Sequence, residues 1–151
     1  MSQPIVFISR NKIKAGKAEE FRKHYQAGVP AIIAGKAGTL AQLAYENEDC
    51  SEIIIVRIFP NADALEQQII GADERSRAVY QLIVPVSIEI FGAPNAATLE
   101  KMQQIVGPEV TMMISPDYIG GFIRKRQYCN AFRHPFKSLC HTRRQQNKCD
   151  R

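Results

Sequence analysis

The sequence predicts an α+β domain whose elements run β-α-β-β-α-β, and three observations lead to it. Short β-branched segments alternate with longer stretches of helical periodicity, most Gly and Pro residues fall at the joins, and two β segments are separated only by the polar turn Asn47 to Ser51.

Pro4 to Arg10 alternates weakly and is rich in Ile, Val and Phe, a first strand. Asn11 to Gly16 is polar and ends in Gly, a strand-to-helix turn. From Ala15 onward, Ala18, Phe21, Tyr25, Val29 and Ile32 recur at steps of three and four opposite Glu19, Glu20, Arg22 and Lys23, the pattern of an amphipathic helix. Pro30 lies inside that pattern. Lacking an amide hydrogen, it is expected to kink the helix or begin a second short segment. Gly35 and Gly38 end the helix, Thr39 to Glu46 alternates as a second strand, and Ile53 to Phe59 is almost continuously β-branched. Those two strands read as a hairpin, the third being expected to be covered on both faces.

Pro60 stops the third strand, and Asn61 or Asp63 can cap a second helix that begins with Ala64, Leu65, Gln68 and Ile69. Gly71 interrupts this helix, which is expected to resume through Val79 to Ile83. After Pro85, Val86, Ile88 and Ile90 alternate with Ser87, Glu89 and Phe91 as a fourth strand. Ala96 to Val106 presents Leu99, Met102 and Val106 on one face as a third helix, and Val110 to Ser115 adds a fifth strand.

This is the ferredoxin-like arrangement, an antiparallel sheet with both crossover helices on one face. The opposite sheet face is then bare, although Ile53, Ile54, Ile55, Val56 and Ile58 make the strands apolar on both sides. A monomer avoids so large an apolar patch, and a two-fold homodimer with the sheets face to face is the simplest cover.

The chain of 151 residues carries a net charge of +5, but unevenly. Residues 1–123 hold 11 Lys and Arg against 14 Asp and Glu, net −3, whereas 124–151 hold 9 against 1, net +8. The sequence therefore divides into a folded domain, 1–123, and a basic tail rich in Cys, His and Arg, 124–151. Basicity confined to a short tail argues against nucleic acid as a partner of the domain. No apolar run approaches the length of a membrane span, and Met1 to Lys12 lacks a basic leader and a cleavage site, which points to the cytoplasm. Cys50 is the only cysteine of the domain, so no disulfide framework forms within it. Cys129, His134, Cys140, His141 and Cys149 are zinc-type residues, but their spacing includes no C-x-x-C pair, and no metal site is read. The abrupt change of composition after Ile123 also resembles a shifted reading frame.

Three stretches resemble a known family, the dimeric α+β barrel domains grouped with antibiotic biosynthesis monooxygenases. Ser9-Arg10-Asn11-Lys12-Ile13-Lys14-Ala15-Gly16-Lys17-Ala18-Glu19-Glu20-Phe21 is similar to the family's first strand, Gly turn and helix start. Ala37-Gly38-Thr39-Leu40 is similar to its entry into the second strand, and Val56-Arg57-Ile58-Phe59 with Ala64-Leu65 to its third strand and second helix. The resemblance spans roughly Ile5 to Phe91. It implies a homodimer and, among the family's activities, oxygenation of a small aromatic or polyketide-like molecule in an interior pocket without a bound cofactor. Phe59 stands where members often carry Trp, and Gln68 where many carry the His that ligates haem in the haem-degrading group, which points away from haem degradation.

Within the residues themselves, His24 is the sole imidazole of the domain and can take a phenolic proton. Arg57 interrupts an apolar strand and can stabilise an enolate or anchor an acidic substrate. A salt bridge from Arg57 to Glu89 is the competing expectation. Asn11, Tyr45, Phe59, Gln68 and Tyr80 complete the expected pocket. A non-catalytic small-molecule-binding or structural homodimer is the first alternative to the enzyme, and a nucleic-acid binder acting through its basic tail is the second. No phosphate loop, dinucleotide fingerprint, zinc-protease helix or nucleophile elbow is present.

Overall fold

The computed structural model describes residues 3–124, the side chain of Asp73 excepted. Its elements are β1 (Ile5–Ile13), α1 (Ala18–Gly35), β2 (Ala41–Glu46), β3 (Glu52–Phe59), α2 (Ala62–Ile69), α3 (Ala72–Val79), β4 (Ile83–Phe91), α4 (Ala96–Val106) and β5 (Thr111–Ser115). Internal contacts divide the chain into Met1–Tyr118 and Ile119–Arg151, and every one of these elements belongs to the first unit. In the second, residues 119–124 form neither helix nor strand, and the Arg124 guanidinium lies 5.4 Å from the centre of the Phe122 ring. The zinc-type residues of the tail, its basic character toward nucleic acid and its suspected shift of frame all lie outside the described residues.

The sheet order is β2-β3-β1-β4-β5, with helices on one face, the ferredoxin-like topology with one strand added. The first four strands pair antiparallel, and β5 runs parallel to β4 after α4 has crossed over. No helix among the described residues is long and apolar enough to cross a membrane.

Several boundaries differ from the sequence reading, each for a local reason. β1 continues past Arg10 to Ile13, because the polar Asn11 and Lys12 still pair with Ile53 and Glu52. Helix α1 runs unbroken through Pro30; Pro30 and Gln26 lie on its exposed side, where water can serve the carbonyl left without a donor. Gly71, at φ 71°, separates α2 from α3, and α3 stops at Val79, so that Ile83 opens β4 instead of closing a helix. Pro85 lies within β4, not before it. The β1–β4 register slips between Arg10 and Asn11, making Val86 the extra residue of a bulge, where a proline without an amide hydrogen is tolerated.

Alternation sorts the strands into two faces. Ile5, Phe7, Ser9 and Asn11 of β1, Ile53, Ile55, Arg57 and Phe59 of β3, and Ile83, Ile88 and Ile90 of β4 face the helices. Val6 and Ile8, Ile54, Val56 and Ile58, Leu43 and Tyr45, Phe91 and Met113 face the other way, where no helix of the described residues lies. Among the described residues, β3 is thus covered on one face only.

The helix-side core is in two parts. One gathers Ile5, Phe7, Phe59, Leu65, Ile88, Ile90, Met102 and Val110 beneath α2 and α4; the other gathers Phe21, Ile53, Ile55, Leu82 and Ile83 beneath the start of α1. Gly92, at φ 114°, closes β4 against the start of β1, and a Cβ there would stand 2.9 Å from the Pro4 carbonyl oxygen. Gly92→Ala combines that clash with a left-handed backbone and is expected to cost about 2–3 kcal/mol, read as a lowered urea midpoint with an unchanged slope.

Candidate functional site

Between the two parts of the core, α1 and α3 stand off the sheet and leave a cavity of about 440 Å³. Its walls are mostly apolar: Phe7, Ile88 and Met102 come from one part, Phe21, Ile55 and Ile83 from the other. The near end of α1 is held down by buried Phe21 and by Arg22, whose Nε donates to both Glu46 carboxylate oxygens at 2.9 Å. Farther along, Tyr25 and Ile32 line the cavity and are half-buried, while Ile33 is 74% exposed.

Polar groups enter this apolar space at few points. Asn11 and Ser9 are buried on β1, the Asn11 amide donating to Ser9 Oγ at 3.2 Å. Gln68 is buried on α2 with its Oε1 accepting from Thr39 Oγ1 at 3.0 Å. Arg57 projects from β3, donates through Nε to Gln42 Oε1 at 2.8 Å, and lies 5.4 Å from the centre of the Phe7 ring. Its two terminal nitrogens make no hydrogen bond among the described residues. Burial pushes the Arg57 guanidinium down from its usual value to about 10, and the charge of Arg75 pushes it the same way. It remains a cation at neutral pH.

The expected bridge from Arg57 to Glu89 does not form within the chain. β1 lies between their strands, and Glu89 faces the opposite side of the sheet, where it accepts from Arg10 Nε at 3.0 Å. No carboxylate among the described residues pairs with Arg57 or lines the cavity.

His24, Arg57, Asn11, Gln68 and Tyr80 all line this one cavity, His24 at its exposed rim. Tyr45 and Phe59 do not. Tyr45 is 57% exposed on the bare sheet face, because β2 pairs it with outward-facing Ile54, and Phe59 is wholly enclosed in the core beside Leu65. Burial raises the pKa of the Tyr80 phenol.

Sequence reasoning missed Gln42, Tyr25 and Arg75, which also line the cavity. The Tyr25 hydroxyl is buried and has no hydrogen-bond partner among the described residues. Arg75 donates from its terminal nitrogens to the Gln68 carbonyl at 2.6 Å and the Ile70 carbonyl at 3.1 Å, and with Lys36 it satisfies the end of α2. Among the described residues, no group of three or more His, Cys, Asp or Glu side chains is placed to hold a metal ion.

A search of solved structures finds MupZ from Pseudomonas fluorescens at a TM-score of 0.52 and 12% identity, over 79% of this chain and 95% of that one. It also finds SnoaB, a cofactor-independent oxygenase from Streptomyces nogalater, at 0.52 and 17%, over 63% and 97%. The fold is that of the antibiotic biosynthesis monooxygenase-like structures. A Bacteroides thetaiotaomicron protein carrying that monooxygenase designation matches at 0.50 and 16%, over 62% and 90%. The likeness supports the resemblance drawn from the strand and helix starts. No family profile matches the sequence, and no curated protein does.

Proposed function

We propose that this protein is a cofactor-independent, monooxygenase-like enzyme acting on a small aromatic or polyketide-like enol held between sheet and helices. The observation that carries this reading is that a lone imidazole, His24, and a guanidinium with no carboxylate partner among the described residues, Arg57, line one apolar cavity of about 440 Å³, a volume suited to a fused-ring molecule. His24 at the rim takes the hydroxyl proton of the enol, and Arg57 favours the anion that remains. Dioxygen from solution is the oxidant. With an anthrone, the ring carbanion forms a carbon–oxygen bond to dioxygen. The resulting peroxide loses water, so that one oxygen atom stays as the quinone carbonyl and the other leaves as water.

The active unit in this reading is a homodimer that covers the bare face of the sheet, leaving the cavity on the opposite side free for substrate.

Incubation with anthrone, followed by oxygen uptake and anthraquinone absorbance, tests the chemistry. The expected result is turnover well above the spontaneous rate, lowered roughly 10²–10⁴-fold by His24→Ala. A rate equal to buffer, or one indifferent to His24→Ala, would overturn it. Binding without turnover is the second reading; it is favoured by the exposed position of His24, whose ring is oriented by no carboxylate among the described residues.

A further inference from the structure

Two guanidiniums, not one, line the cavity, and no carboxylate among the described side chains lines it to balance them. Ionised enol can offset Arg57, but Arg75 would still face the occupied space with its charge unmatched. The carbonyls of Gln68 and Ile70 accept hydrogen bonds from Arg75 without neutralising it. An apolar enclosure weakens screening, so a cation facing it favours an anionic occupant far more than the same cation in water would. The Tyr25 hydroxyl, without a hydrogen-bond partner among the described residues, adds a donor on the same walls.

We propose that the ligand of this cavity carries a carboxylate in addition to its fused-ring body, and that Arg75 on α3 is the residue that selects for it. This rests on the cavity being the ligand site, as in the oxygenase reading, but does not require turnover. The carboxylate meets Arg75 while the ring lies against Phe7, Phe21, Ile55 and Ile88, the residues that supply the apolar surface. Arg57 is thereby left to the oxyanion formed on deprotonation. An apolar ring alone would bind, and the acid would bind better.

The test compares 2-anthracenecarboxylic acid with its carboxamide, a pair of one shape and different charge. The chain contains no Trp, so anthracene fluorescence reports binding without interference from indole. The acid is expected to bind at least about tenfold more tightly than the amide. Arg75→Gln should bring the two within about threefold by weakening the acid alone, and Arg75→Lys should restore part of the preference. Loss of the α2 capping bonds would instead weaken both probes together, so the ratio separates selection from mere support of the fold. Equal affinities in the unaltered protein, equal weakening by Arg75→Gln, or binding of neither probe would overturn the proposal. The anthrone assay stands apart from this one: acid preference without oxygen uptake sinks the oxygenase and leaves the carboxylate site, and uptake without acid preference does the reverse.

Discussion

Phe59→Ala is expected to lower the free energy of unfolding by about 3–5 kcal/mol, a large part of what a domain of this size possesses. Phe59 is 0% exposed and ends β3 opposite Ile5, with Leu65 of α2 packed in the same cluster. Truncation removes a whole ring from the place where α2 is fastened to the sheet. Collapse to fill the void is opposed by the strands on both sides, so most of the cavity cost persists. Urea titration followed by circular dichroism measures the loss, and a drop below about 1 kcal/mol would mean that the ring is not the fastening of α2. Phe59→Leu, which keeps much of the volume, should recover more than half of the deficit.

Val56→Asp should convert a sedimenting pair of protomers into single ones. Val56 lies at the middle of the bare face, paired with Ile8 on one side and Leu43 on the other. Within one protomer its side chain is only half-buried, and a carboxylate there keeps its water. In a face-to-face assembly the same carboxylate would lose that water twice, once for each copy, at several kcal/mol each without a counter-charge. Leu43→Lys, at a position 46% exposed on the edge strand, gives an independent check with little effect on the protomer itself. Sedimentation of the unaltered protein as a lone protomer at micromolar concentration would rule the assembly out.

The order of elements was legible because it depends on local periodicity and on turn residues, and α4 was placed to the residue. What local pattern could not show was parity. On β2 the apolar residues Leu43 and Tyr45 point outward and Gln42 inward, the reverse of the rule that apolar side chains face the helices, and Tyr45 was misplaced for that reason. Arg57 and Glu89 looked pairable from strand chemistry alone, yet strand order and a one-residue slip at the Pro85 bulge decide which side Glu89 faces. Arg75 carried no sequence signal at all. It is one of several charges in α3, and only the tertiary position of that helix brings it to the cavity.

The period-two geometry of β3 gives adjacent positions separate duties. Arg57 and Ile55 address the interior hollow, whereas Val56 and Ile58 address the outer surface. In the proposed function, chemistry and assembly are thus written on interleaved letters of one strand, and an engineer can revise either alphabet while leaving the other's text intact, provided that no insertion or deletion shifts the frame between them.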